Sequence, residues 1–187
     1  MKVVNILAFG SLKPYTINRC ETIHILKEFI EIKMTKDIML NNEKISNKLN
    51  ELLIKNYDAE KGYLTAVKNV ENKGLISFFK NCAEDRNKFA SQLKTQILSL
   101  GETPKESGSF KGTMHRNWMD FKTIFTTNDQ TAILDEIVRG EKASLEDYNE
   151  VITETEIPEN IKTVLISHRN TIKNTINNVP KLEEAVA

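Results

Sequence analysis

Apolar residues recur every three or four positions along most of this chain, the spacing that places them on one face of an α-helix. The first clear pattern runs from about Asn41 or Asn42 to Val70, with a stripe of Leu49, Leu53, Tyr57, Glu60, Leu64 and Val67. The second ends at Gly101, with a stripe of Leu75, Phe78, Phe79, Cys82, Arg86, Phe89, Leu93, Ile97 and Leu100. The turn at residues 71–74 is short, so these two helices should be antiparallel neighbours.

Two further helices are predicted beyond residues 101–112, a stretch rich in Gly, Pro and Ser. Thr127, Asn128 or Asp129 can cap the third helix, whose stripe is Ile133, Ile137, Glu141, Leu145, Tyr148 and Ile152. Pro158 suits the first turn of the fourth, and Pro180 should end it; its stripe is Ile161, Leu165, His168, Ile172, Ile176 and Val179. The pattern predicts an all-α fold, an antiparallel four-helix bundle over residues 41–180 built from two helical hairpins and a long crossover.

The two ends of the chain differ from the predicted bundle. Residues 1–40 form an N-terminal extension whose apolar run, residues 3–9, is too short to span a bilayer and lacks the features of a signal peptide. Residues 21–33 can form a helix, but the extension is expected to be loosely packed, and Met34 is an alternative natural start. Residues 181–187 read as a C-terminal tail.

Composition and charge narrow the classes of function. With 26 basic and 26 acidic residues the formal net charge is zero, so no general field attracts nucleic acid or an anionic membrane. The two cysteines, Cys20 and Cys82, have no paired spacing, which favours a reducing, cytoplasmic location. We therefore expect neither a nucleic-acid nor a membrane partner.

Two glutamates lie inside apolar stripes and suggest a buried site. Glu60-Lys61-x-x-Leu64 recurs as Glu141-Lys142-x-x-Leu145, so two helices would each direct one carboxylate inward. Di-iron sites in four-helix bundles take one Glu from each of two helices and a Glu-x-x-His pair from each of the others. The matching positions are Arg86 and Phe89 on the second helix and Leu165 and His168 on the fourth.

Arg86 is the decisive departure from that ligand pattern. A guanidinium keeps its proton at accessible pH and donates hydrogen bonds without accepting any, so it repels cations and binds carboxylates. We expect Arg86 to lie between Glu60 and Glu141 as an internal ion cluster, with His168 at its edge, in a degenerate metal site. Alternatively, both glutamates reach solvent at the edge of their stripes.

Several longer motifs carry a resemblance to a known family. They are Asn56-Tyr57-Asp58-Ala59-Glu60-Lys61-Gly62-Tyr63, Cys82-Ala83-Glu84-Asp85-Arg86-Asn87-Lys88-Phe89, Gly101-Glu102-Thr103-Pro104 with Ser107-Gly108, Arg116-Asn117-Trp118-Met119-Asp120-Phe121-Lys122, and Arg139-Gly140-Glu141. Over residues 42–153 the chain resembles a bacterial family of ferritin-like four-helix bundles catalogued as a domain of unknown function, distantly related to rubrerythrins. The resemblance implies the fold but brings no established reaction. In rubrerythrin-like relatives the acids matching Glu60 and Glu141 are iron ligands.

Three hypotheses of function follow. The first is a non-enzymatic bundle without a cofactor, stress-related or involved in assembly, which acts through its surface as a homodimer or with an unknown protein partner. The alternative is an iron-binding redox or storage protein that uses Glu60, Glu141 and His168 with a further acid such as Glu84 or Asp85. The third makes residues 101–112 and the Trp118 segment, residues 113–125, a docking surface for a partner.

Overall fold

Four helices make up the part of the chain that the structure, a computed structural model, describes: residues 19–106, 129–154 and 156–186. They are α1 (Arg19–Asn69), α2 (Lys73–Ser99), α3 (Gln130–Thr153) and α4 (Glu159–Val186). The described residues contain no strand, so the prediction of an all-α fold is confirmed. The predicted Trp118 segment lies outside the described residues, and the structure includes the loop 101–112 only as far as residue 106.

The chain divides into two compact units, residues 1–39 and residues 40–187. In the first unit, the side chains of residues 22–39 are all exposed. The second unit contains the buried core. Among the described helices, none is long and apolar enough to cross a bilayer.

The start of α1 differs from the prediction. The helix begins at Arg19, not at Asn41 or Asn42, because neither Pro nor Gly interrupts the chain from Arg19 to Asn42. Asn42 does not cap α1; instead its side-chain amide donates a hydrogen bond of 3.2 Å to the carbonyl of Leu100, just beyond α2.

Two apolar clusters fill the core of the second unit and define the direction of each helix. One joins the residue 45–53 part of α1 to the end of α2, the end of α3 and the first half of α4, through residues such as Leu49, Leu93, Tyr148 and Leu165. The other joins the end of α1 to the first halves of α2 and α3 and to Val179 of α4. Helix α1 is therefore antiparallel to α2, and α3 is antiparallel to α4, as two hairpins joined by a crossover.

Local capping residues fix the ends of α2 and α3. The Asn72 side chain accepts hydrogen bonds from the N–H groups of Gly74 and Leu75, and Asp129 accepts from Thr131 and Ala132 in the same way. Helix α2 ends before Gly101, whose φ of 82° lies in the left-handed region that glycine adopts without strain.

The predicted end of α4 is wrong. Pro180 lies inside the helix, which continues to Val186. A proline removes one backbone donor but does not by itself stop a helix when tertiary contacts hold both sides of it. Val179 is 1% exposed, and Leu182 packs on the same apolar cluster, so burial on both sides of Pro180 offsets the lost hydrogen bond.

Candidate functional site

A buried ion pair lies at the centre of a layer of polar side chains in the core. Arg86 of α2 is 3% exposed and Glu141 of α3 is 4% exposed, and the Nη2 of Arg86 lies 2.5 Å from the Oε2 of Glu141. Charge-assisted contacts of this kind are the strongest hydrogen bonds in proteins. Two opposite charges from two helices therefore compensate each other inside the bundle.

Other polar atoms of this pair also form hydrogen bonds. The Nη1 of Arg86 donates to the Oδ1 of Asn56 at 3.1 Å and to the Oγ of Ser144 at 3.0 Å. The second carboxylate oxygen of Glu141, Oε1, accepts a short hydrogen bond from the hydroxyl of Tyr63. Three helices thus contribute to one closed arrangement around the two charges.

A chain of neutral groups extends this arrangement to α4. The amide of Asn56 donates to the hydroxyl oxygen of Tyr148 at 2.9 Å, and that hydroxyl lies 3.2 Å from the Nδ1 of His168. The Nε2 of His168 lies 2.6 Å from the Oε1 of Gln92. Since Gln92 presents an acceptor, the proton of neutral His168 is on Nε2, and Nδ1 accepts from Tyr148. His168 also stacks on Phe89, with ring centroids 4.1 Å apart.

Burial and charge set the protonation of these groups. Burial tends to lower the pKa of Arg86, but the adjacent Glu141 charge raises it, and the net shift is upward. Burial lowers the pKa of His168 to about 4, with a smaller contribution from the Arg86 charge. Burial also raises the pKa of Tyr148 to about 12 and that of Tyr63 well above its ordinary value. The layer therefore has one cation, one anion and otherwise neutral side chains near pH 7.

The residues of this layer do not fit a di-iron centre. Both ring nitrogens of His168 are engaged in hydrogen bonds within the protein, to Tyr148 and Gln92, and each offers a single bonding position, so neither can bind a metal ion without giving up its partner. Arg86 places a permanent positive charge against the Glu141 carboxylate, which opposes a divalent cation. Within the described ranges, no three His, Cys, Asp or Glu side chains lie close enough together to hold a metal ion.

Glu60 is not part of the buried layer. Its side chain is half-buried, and its Oε1 accepts a 3.0 Å hydrogen bond from the amide of Asn87 at the protein surface. It lines an open surface groove of about 310 Å³ together with charged residues of α2, Lys80, Glu84 and Lys88. The structure therefore brings together Arg86 and Glu141 and links them through Asn56 and Tyr148 to His168, but it separates Glu60 from them.

Sequence reasoning missed Asn56 and Tyr63 because it placed the stripe of α1 incorrectly. Beyond Leu53 the buried positions of α1 and the residue after it are Ile54, Asn56, Gly62, Tyr63, Ala66 and Val70, whereas the predicted Leu64 is 45% exposed. The signal was present, since Leu49, Leu52, Asn56 and Tyr63 keep the i, i+3, i+7, i+14 spacing of one helix face. The predicted stripe continues from Leu53 through Tyr57 and Glu60 instead, and so it misses the buried asparagine.

Asn56 offers a test of how the two halves of the layer depend on each other. We expect Asn56→Leu to lower the free energy of unfolding by about 2–3 kcal/mol, because Tyr148 loses a donor and Arg86 loses an acceptor while both stay buried. Urea unfolding followed by circular dichroism measures this. Asn87→Leu, at the surface, is the matched control and should change little; equal effects of the two substitutions would contradict the assigned contacts.

Comparisons with known proteins agree with this architecture. The chain is similar to a crystallised Dps protein from Vibrio cholerae O1, described as a member of a broad superfamily of ferritin-like diiron-carboxylate proteins, with a TM-score of 0.57 and 16% identity over 80% of this chain and 92% of that one. At that identity the similarity concerns the fold, which is ferritin-like. No curated protein matches the chain. The model of the family described as Domain of unknown function (DUF2383) matches residues 44–154, more than half of the sequence, and the chain therefore belongs to that family.

Proposed function

We propose that this protein is a non-enzymatic ferritin-like bundle in which an internal arginine–glutamate pair takes the place of a metal centre, and that it acts through its surface. The observation that carries the proposal is the 2.5 Å contact between Arg86 and Glu141, both almost fully buried. The two charges of this pair balance each other, so among the described residues the polar layer has no excess negative charge to attract a cation.

The chemistry of the layer also argues against catalysis within it. A general base needs a pKa near the working pH and access to a substrate, whereas burial lowers the pKa of His168 to about 4 and its exposed fraction is 1%. The Cys82 thiol is buried, and burial raises its pKa to about 12, so it is a poor nucleophile. A buried free thiol is compatible with the cytoplasmic location that forms part of this proposal.

Metal analysis of protein purified without chelators tests the proposal. We expect iron, manganese and zinc each at well below one atom per chain, and unchanged thermal unfolding after treatment with EDTA. The competing function, iron binding for redox or storage, predicts at least one iron per chain.

A matched pair of variants identifies the ligands if metal is found. Iron that disappears in Glu60→Gln/Glu141→Gln but persists in Glu146→Gln, a control at an exposed position, would overturn the proposal in favour of the iron-binding alternative.

A further inference from the structure

A surface groove between α3 and α4 is lined by positive charge. Its volume is about 300 Å³, at the lower end of the range for clefts that bind small ligands. Leu145 and Asn149 of α3 line one side, and Arg169, Asn170 and Lys173 of α4 line the other. Among the described residues no acidic side chain lines the groove, so it offers two cations, two amides and one apolar side chain.

The packing of both helices holds these side chains in place. On α4, His168 and Ile172 are each 1% exposed. Arg169 and Lys173 directly follow them in sequence, so the burial of their neighbours fixes where they leave the helix. On α3, Leu145 packs against the core cluster and gives the groove an apolar wall. Groups on rigid helices are held more precisely than groups on loops.

The two cations of the groove lack acidic partners among the described residues. Arg86 and Arg139 each form an ion pair with a glutamate. Arg169 and Lys173, by contrast, form no ion pair with any described residue. Along α4, residues 160–182 include four basic residues and no acid. The groove therefore keeps a local excess of positive charge, although the chain as a whole is neutral.

The groove also presents hydrogen-bond donors that the described residues leave without acceptors. The Nε and Nη2 of Arg169 donate to the Oδ1 of Asn170 at 3.4 and 3.1 Å, which uses two of the five N–H groups of the guanidinium. The ammonium of Lys173 and the amide groups of Asn149 and Asn170 have no acceptor in the described part of the chain. Donors of this kind, together with a guanidinium, bind the oxygen atoms of phosphates and carboxylates.

A second groove of similar size provides an internal comparison. The groove between α1 and α2 that contains Glu60 is also lined by Lys80, Glu84 and Lys88, so its two negative and two positive charges cancel. Its volume of about 310 Å³ is nearly the same. Charge therefore distinguishes the α3–α4 groove, and only that one has an excess with which to attract an anion.

Acids beside the α3–α4 groove limit the length of the ligand. Glu146 and Glu150, both exposed, directly follow Leu145 and Asn149 on α3. A long polyanion such as a nucleic acid would meet these glutamates, and the neutral chain has no general field to attract it. The groove therefore suits a small anion that fits between the two helices.

We propose that this groove binds a small ligand through a phosphate group, which contacts Arg169 and Lys173. The two cations lie one helical turn apart, and a phosphate group carries a charge of about −1.5 to −2 at pH 7 that both can neutralise. Leu145 is available to an apolar part of the same ligand. The inference rests on the surface role proposed above and names a ligand for it; it does not depend on the metal content of the bundle.

Titration of the full chain with sodium phosphate and with phenyl phosphate tests the site. Calorimetry measures the affinity, and ¹H–¹⁵N NMR spectra locate the anion. We expect saturable binding of one anion per chain, with the largest shifts at the side-chain amides of Asn149 and Asn170. Tighter binding of phenyl phosphate would identify a phosphate ester as the ligand, and equal affinities would identify inorganic phosphate.

Variants assign the binding to named side chains. Arg169→Gln should weaken it by about tenfold or more, because charge-assisted hydrogen bonds are lost. Lys88→Gln removes a cation from the charge-balanced groove, and this matched control should bind phosphate as the unaltered protein does. Circular dichroism checks that each variant keeps its helix content.

A gain of affinity provides a sharper test, because a damaged fold cannot imitate it. Asn149→Lys adds a third cation to the groove and should strengthen phosphate binding by about threefold. Asn149→Glu, at the same exposed position, should weaken it by a similar factor.

Four outcomes overturn the inference. They are the lack of saturable binding at phosphate concentrations up to about 20 mM, binding unaffected by Arg169→Gln, an equal loss in Lys88→Gln, and tighter binding of a single-stranded oligonucleotide or an acidic peptide than of phenyl phosphate. Because the readout is bound phosphate, failure of this site is distinguishable from failure of the proposed function, whose readout is bound metal.

Discussion

Replacing Arg86 by Leu should lower the free energy of unfolding by about 3–5 kcal/mol at neutral pH, because it leaves the Glu141 carboxylate buried without its counter-charge. The cost arises from the remaining charge and not from lost packing, since Leu fills much of the space of the arginine stem. Urea unfolding at pH 7 measures the loss.

A double variant distinguishes the loss of the counter-charge from the loss of packing as the cause of the destabilisation. Arg86→Leu/Glu141→Leu removes both charges, and we expect it to recover most of the stability, since apolar residues often replace a buried ion pair without loss. The recovery should be incomplete, because Tyr63 and Ser144 each lose a partner. Unchanged stability of the Arg86→Leu variant would refute the buried pair, and a double variant as unstable as the single would show that packing is responsible.

Acid should destabilise the bundle through His168. The ordinary histidine pKa of 6.5 is lowered to about 4 in the folded protein, chiefly by burial. Between these values the unfolded chain binds a proton at His168 that the folded chain does not, so stability is lost as the pH falls from about 6.5 to about 4. The loss should reach roughly 3 kcal/mol, and urea unfolding at a series of pH values measures it.

His168→Gln provides the control, because glutamine retains hydrogen-bonding capacity without titrating. Subtracting its profile of unfolding free energy against pH from that of the unaltered protein isolates the contribution of His168. This subtraction matters because burial raises the pKa of Asp58 from 3.8 to about 6, and that group changes stability with the opposite sign in the same range. Parallel profiles for the two proteins would show that His168 takes up a proton freely in the folded state.

The sequence predicts the inward-facing side chains correctly on some helices and incorrectly on another. The stripes of α2 and α3 were read correctly, and with them the inward positions of Arg86 and Glu141, since helical spacing places each side chain once one neighbour is buried. On α1 the prediction placed Glu60 inward because it follows an apolar residue at the right spacing, and here the structure differs. Helical periodicity alone cannot decide which of two neighbouring stripes on a long helix is buried, because the two stripes lie only a fraction of a turn apart.

By itself, the sequence determined the four helices of the bundle, their order, most of their ends and the mismatch with a di-iron ligand set. These follow from local properties, namely helical periodicity, capping residues, and the permanent charge of a guanidinium. Only the tertiary structure decided which acid pairs with Arg86, that Tyr63 and Asn56 complete its surroundings, and that α4 continues through Pro180. These outcomes depend on how four helices rotate and pack against one another, and the balance of burial and hydrogen bonding between distant segments decides that rotation.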